Sequence, residues 1–325
     1  MFKQSSTKKL KPKHVFAGLL PTTAALLLLS GSDAQAAGEK VDGTILSFPQ
    51  TSVGRLDIVK INNLSYIDKL ISGANAVGKV MVPAGCAINL KLNYNGSQDT
   101  GFLLSLPPDA VRSLDCGQLE MSDQQIGNIA HLAKMVDLNL ESTDLTDEAL
   151  GQLSGLKELR HLNLGDTLIT ARGLHAIVGM NKLVWLRLSR NAKLGGQIGP
   201  DLSRLRSLTF LDLCGTDLDN AMLANLIPLS KLTELNVRRN NISDKGLVYI
   251  AKIKSLETLN VTDTLVTKKG LTLLSALPRL KTVFLRMRRY KPEDLAALKK
   301  SLLSVKLESG SREDSFPSNT FEPLH

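Results

Sequence analysis

The sequence holds one tryptophan, Trp185, and it stands among residues suited to recognition rather than to bond-breaking. His161 precedes it by 24 residues, Phe210 follows it by 25, and Arg187 lies two positions on. Aromatics make up only 4% of the chain, so their gathering around one arginine is informative. Trp, Tyr and Arg dominate binding hot spots because they bury much area with few rotors. Asn163, Asp212, Asn236 and Arg238 fall at related spacings and would surround the cluster with hydrogen-bonding groups. Carboxamides both donate and accept, so the series Asn139, Asn163, Asn236 and Asn260 could read sugar hydroxyls or peptide backbone. A solvated row of small polar residues fits that series equally well.

The residue types that cut and join bonds are present without their patterns. The five histidines are His14, His131, His161, His175 and His325, and no H-E-x-x-H, lysine-bearing phosphate loop or G-x-S-x-G elbow occurs. Only His161 is expected on the face that carries Trp185, and no neighbouring position supplies a Cys/His pair at metal-ligand spacing. Asp137 and Glu141 share a strand face and could mimic a carboxylate pair, although exposed pairs of this kind are common. The expectation is therefore a non-enzyme without catalytic residue, metal or cofactor.

These residues need a scaffold, and a repeat supplies it. The pairs Leu114/Cys116, Leu138/Leu140, Leu162/Leu164 and Leu186/Leu188 recur every 24 residues. One step of 25 leads to Leu211/Leu213, and steps of 24 lead to Leu235/Val237, Leu259/Val261 and Val283/Leu285. Each of these eight units opens with a short alternating strand and continues into a helical stretch with leucines spaced by threes, as in Leu150, Leu153, Leu156 and Leu159. Thr146, Thr170, Ser243 and Thr267 stand where a hydroxyl would cap those helices. No unit can bury both its strand face and its helix stripe alone, so the units must stack in parallel around one core. Val305 and Leu307 offer a closing strand.

The register sets three columns on the face turned away from that core. The first runs Ser113, Asp137, His161, Trp185, Phe210, Glu234, Thr258, Thr282; the second Asp115, Asn139, Asn163, Arg187, Asp212, Asn236, Asn260, Phe284. The third runs Gly117, Glu141, Gly165, Ser189, Cys214, Arg238, Thr262, Arg286. Eight strands about 4.8 Å apart give a face roughly 34 Å long, fit for a protein, peptide or glycan chain. Cys116 takes an inward position and Cys214 an outward one, about 19 Å apart by strand spacing, so they cannot pair. Cys86 with Cys116 stays geometrically open, and the odd count leaves a free thiol either way.

The pattern L-x-x-L-x-L-x-x-[T/N]-x-[L/I/V]-[T/S], as in Leu159–Thr170 and Leu256–Thr267, resembles the leucine-rich-repeat superfamily. The segments 145–150 and 242–247 look like the helix-bearing repeats of bacterial, ribonuclease-inhibitor-like members. The resemblance covers roughly residues 111–308. It implies an α/β leucine-rich-repeat solenoid, a right-handed horseshoe with a parallel sheet on its concave face and helices on its convex face. It also implies a binding scaffold, without naming the ligand. The fourth unit, with Gly195, Gly196, Gly199 and Pro200, looks like the plant-type repeat, so a break in the convex helices is expected there.

The flanks complete the organisation. Residues 1–36 combine five lysines with the apolar run from Val15 to Leu29 and small residues at Ala34 and Ala36, which reads as a signal peptide cleaved near Ala36. Cleavage after Ala37 is the alternative. Losing that leader removes five Lys and one Asp and takes the formal charge from +9 to +5, too mild to imply nucleic acid. No run of about 18 apolar residues remains, so no membrane span is expected. Residues 37–110 lack the repeat, with strands at 79–82 and 87–93 joined by a turn at Pro83-Ala84-Gly85, and are expected to form a small β-rich N-terminal cap or an independent binding domain. Residues 309–325 are expected to be a disordered tail.

The sequence thus points to an exported protein, periplasmic or secreted, that binds a macromolecule through its concave face. The competing readings are a structural cell-envelope protein, held by its cap or by the basic end Arg286, Arg288, Arg289 and Lys291, or an accessory subunit of an envelope enzyme. Its oligomeric state stays open.

Overall fold

The computed structural model describes residues 42–61 and 69–310. The leader and the segment 311–325 lie outside the described residues. Alternating apolar residues make each repeat start as a strand: β6 (Val111–Asp115), β7 (Asp137–Asn139), β8 (His161–Asn163), β9 (Trp185–Arg187) and β10 (Phe210–Asp212). β11 (Glu234–Asn236), β12 (Thr258–Asn260), β13 (Thr282–Leu285) and β14 (Lys306–Ser309) follow. All pair in parallel with their sequence neighbours, so Leu138, Leu162, Leu186, Leu211, Leu235, Leu259, Val283 and Leu307 form one ladder across the sheet.

Five strands precede the repeat. β1 (Gly43–Ser47) pairs antiparallel with β4 (Lys79–Pro83) in a two-stranded sheet. β2 (Gly54–Lys60) lies antiparallel between β3 (Lys69–Asn75) and β5 (Cys86–Leu92), and β5 runs parallel to β6. The turn at 84–85 therefore joins strands of two different sheets. Through β5 the repeat sheet grows to twelve strands, open at both ends, and one continuous apolar core runs from Leu46 to Leu302. Cys86 and Cys116 form no disulfide.

The chain leaves each strand from β6 to β12 through a residue of left-handed backbone: Gln118, Ser142, Asp166, Arg190, Gly215, Arg239 and Asp263, with φ between 54° and 64°. That bend turns the chain from the sheet toward the convex side. A side chain costs roughly 1–2 kcal/mol there; the fifth unit has Gly215 at that position but carries a second left-handed residue, Asp217 (φ 57°), two positions on. The Thr or Asn that follows satisfies the carbonyls the bend frees. Thr143 Oγ1 donates to Leu140 O (2.7 Å), and Thr264 Oγ1 to Val261 O (2.7 Å). Asn191 Nδ2 reaches Leu188 O (2.9 Å) and Leu164 O of the preceding unit (2.7 Å), tying two repeats together.

Three expectations are corrected on the convex side and at the C-terminus. The glycine-rich fourth unit does not stay extended, because a 3-10 turn at 196–198 leads into a single α-turn, Gly199–Leu202. Pro200 sits in the first turn, where its missing N–H is not required. The unit without an α-helix is the next one, where only the 3-10 stretch Met222–Leu226 forms. Thr146 and Thr170 accept from backbone N–H groups two residues on, as caps, whereas Ser243 and Thr267 stand at the cap position without that bond. Residues 309 and 310 are ordered parts of the fold rather than tail: Ser309 pairs with Leu285 in β14, and Gly310 N donates to Leu285 O (3.2 Å).

Candidate functional site

Strand pairing aligns the first two columns as their spacing requires. His161, Trp185, Phe210 and Glu234 stand side by side on β8 to β11, with Asn163, Arg187, Asp212 and Asn236 beside them. The Trp185 and Phe210 rings stack, with centroids 4.8 Å apart and planes 9° from parallel. The Arg187 guanidinium lies 5.3 Å from the Trp185 ring, a cation–π distance. Trp185, Phe210 and Phe284 form an apolar cluster separate from the main core.

That cluster is not open to solvent. Trp185 is 5% exposed, Phe210 4% and Phe284 8%. Asn163, Arg187, Asp212, Cys214, Asn236, Arg238 and Thr262 are buried too, while Asp137, Asn139 and Glu141 on β7 and the turn after it are half-buried. The face is thus most enclosed from β8 onward.

The charged groups here are held in pairs. Arg187 Nε lies 3.3 Å from Asp212 Oδ2, and its Nη1 3.9 Å from Glu141 Oε2. Glu141 also receives Arg190 Nη2 at 2.9 Å and Asn163 Nδ2 at 3.0 Å. Burial pushes the Asp212 carboxyl up, against the opposing pull of Arg187. His161 Nδ1 donates to Asp137, so neither Asp137 nor Glu141 is a lone carboxylate. Arg238 lies 3.6 Å from Asp263, which also pairs with Arg286, and Arg289 donates to Thr264 O. The basic C-terminal end is therefore partly consumed by the fold. Among the described residues no three His, Cys, Asp or Glu side chains gather as a metal site would require.

The asparagine column does different work from the ladder its chemistry suggested. Asn139, Asn163, Asn236 and Asn260 each accept, through Oδ1, the backbone N–H two residues on, at 2.9–3.1 Å. Asp115 and Asp212 do the same for Gly117 and Cys214. These side chains satisfy the backbone where the strand ends and the left-handed bend begins. Cys214 occupies its outward position but is buried.

Two contributors escaped the sequence reading of the site. Phe284 is an aromatic in a column otherwise of Asn, Asp and Arg, a signal that was visible. Arg190 belongs to no column, and only the left-handed turn at φ 63° aims it back at Glu141.

The comparisons with known proteins bear on this architecture. Two family profiles, each described as leucine-rich repeat, match residues 129–192 and 229–251. No curated protein matches the chain. Internalin C2 of Listeria monocytogenes is 23% identical in sequence, with a TM-score of 0.51 over 61% of this chain and 80% of that one. A second internalin of that organism, InlF, is 19% identical over 69% of this chain and 59% of its own, with a TM-score of 0.44. The plant peptide hormone receptor RGFR1, solved in complex with RGF2, is 17% identical over 55% and 32%, with a TM-score of 0.38. The likeness to internalin C2 is one of fold. Strands in register every 24 residues, with two leucine-rich-repeat profiles matching inside that series, give residues 111–309 the fold of a leucine-rich-repeat solenoid.

Proposed function

We propose that the chain is an exported, non-enzymatic binding protein that takes a protein, peptide or glycan on its concave face. The observation that supports this reading is the Trp185–Phe210 stack with Phe284, apolar surface on the side of the sheet opposite the core. These rings form a cluster apart from the main core. Arg187, His161, Asn163, Asp212, Asn236 and Arg238 frame the stack with polar groups whose positions are fixed by ion pairs and backbone bonds. Rigid aromatics inside a fixed polar frame suit recognition, because little ordering remains for binding to impose.

The paired arginines argue against a nucleic-acid groove. Residues 37–110 serve in this reading as the cap of the first repeat, and 1–36 as the leader that exports the chain. No helix of the described residues is long and apolar enough to cross a membrane.

The test is affinity capture from the envelope and medium of the source organism, using the chain from Ala37 beside a Trp185→Ala/Phe210→Ala variant with the same unfolding midpoint. A partner retained by the first and lost by the second is the expected result. Equal retention would move the binding surface away from the concave face.

A further inference from the structure

We infer that the edge of the solenoid at which its strands begin is a second binding surface, a row of cations that takes a linear acidic glycan along its length. This edge lies apart from the concave face and needs nothing from the function proposed above.

The repeat itself builds the row. In seven successive units two buried apolar side chains three residues apart, from Leu132 and Met135 to Leu277 and Leu280, flank a two-residue turn. That turn carries the chain from the convex side into the next strand. Each holds one Lys or Arg: Lys134, Lys157, Lys182, Arg206, Lys231, Lys254 and Arg279. All seven are exposed, and Glu158 is the one acid in these turns. Lys and Arg are 40 of the 325 residues, so one in every turn is a placed pattern and not background.

The cations are available to a ligand. Among the described residues the side chains of Lys134, Lys157, Lys231 and Arg279 have no hydrogen-bond or ion-pair partner. Arg206 Nη1 donates to Pro228 O (3.0 Å) and Lys254 Nζ to Ala251 O and Ala276 O (both 2.9 Å), which leaves donors on each. Lys182 pairs with Glu158 Oε2 at 2.5 Å. That hydrogen bond, then the charges of Lys182, Lys134 and Arg160, hold the Glu158 carboxyl below its ordinary 4.5 against burial, so the edge already acts on a carboxylate. The turns at the opposite edge mix signs, with exposed Asp144, Asp166 and Asp217 among Arg190 and Lys193.

Spacing and neighbours select the class of partner. The row advances one unit per strand, about 4.8 Å, and spans about 29 Å. Like charges this close repel, so the row costs stability unless an anion answers it. A polymer with one carboxylate per sugar meets such a row cation by cation, and exposed Asn181 and Ser230 suit its hydroxyls. One strand of a DNA duplex carries a phosphate about every 3.4 Å and falls out of step. Surface binding to a bilayer draws on apolar side chains beside the cations. No exposed large hydrophobic of the described residues lies in the seven turns; Leu303 stands one unit beyond the last cation.

The probe is polygalacturonate, with its fully methyl-esterified form as the neutral control, titrated calorimetrically into the full chain at about 50 and about 500 mM NaCl. Two triple variants are compared: Lys134→Glu/Lys157→Glu/Lys231→Glu on the row, and Lys193→Glu/Lys245→Glu/Lys269→Glu, exposed and off it. Binding of the acidic form alone, weakened by salt, at least about tenfold by the first triple and less than about threefold by the second, is the expected result. If the first triple lowers the unfolding midpoint, Lys→Gln at the same positions replaces it. Equal losses in both triples would reduce the effect to net charge and overturn the inference, as would no binding at low salt. Tighter binding of phosphatidylglycerol vesicles or duplex DNA, lost in the first triple, would overturn the glycan as occupant. Loss in Trp185→Ala/Phe210→Ala would move the glycan to the concave face.

Discussion

Both carboxylate oxygens of Asp147 are taken by Thr170 of the next repeat: Oδ1 accepts from the backbone N (2.7 Å) and Oδ2 from Oγ1 (2.6 Å). Asp244 holds Thr267 in the same way, at 2.7 and 2.6 Å. A Cβ on Gly173 or Gly270 would stand 2.1 Å from the Asp oxygen, so glycine in the next helix makes room for the clamp. Where Ala149 replaces that glycine, Asp123 receives the Thr146 hydroxyl alone among the described bonds (2.7 Å).

Asp147→Ala removes two charge-assisted bonds and should cost about 2–3 kcal/mol in urea unfolding. Gly173→Ala alone should cost about 1–3 kcal/mol through the clash. Combining them should cost less than the sum, because the clash with the carboxylate is gone and only the 2.9 Å approach to the backbone Cα of residue 147 remains. Additive losses would sink the clamp.

Leu162→Ala or Leu211→Ala empties a position that is at most 1% exposed between stacked units. Each should cost about 2–5 kcal/mol. A loss under about 1 kcal/mol would contradict the register of the ladder.

Arg187→Met leaves the Asp212 carboxylate buried without the cation 3.3 Å away. The expected loss is about 3–5 kcal/mol, the cost of an uncompensated buried charge. Adding Asp212→Asn should restore part of it, since the amide needs no counter-ion. If the double variant were no more stable than Arg187→Met, the pair would not be the source of the loss.

Glu234 is partly buried, and burial, then the charge of Glu257, raises its carboxyl above the ordinary 4.5. The native state then binds a proton more tightly than the unfolded chain, so stability falls as pH rises from the unfolded pKa through the raised one. Glu234→Gln should lift the thermal midpoint at pH 7 by about 2 °C and leave it unchanged below about pH 4. A pH-independent difference would assign the effect to packing.

Thiol labelling separates the cysteines. Cys86 is half-buried and should react in the folded protein, whereas Cys116 is buried and its thiol is pushed up by burial. Mass spectrometry after alkylation should find Cys116 modified only on unfolding. Early labelling of Cys116 would mean that the first repeat opens.

The sequence by itself determined the repeat, the ladder of inward aliphatics and the columns beside it. Those patterns are periodic and local: the alternation of a strand and the 24-residue step are written in the residues that carry them. The placing of Trp185 next to Phe210 followed from the same register. The turn from Asn163 Oδ1 to Gly165 N is equally local, yet the ligand-like chemistry of the amide hid its structural use. Tertiary structure decided what the register cannot express. Arg187 is neutralised by Asp212 on the next strand and by Glu141 two repeats earlier, and Arg190 reaches Glu141 only because its backbone turns left-handed. Asp147 and Asp244 look like surface acids until the following helix brings Thr170 and Thr267 against them. Burial of the aromatic face was hidden for the same reason. Periodicity fixes which way a side chain points, while exposure depends on what the rest of the chain lays over it.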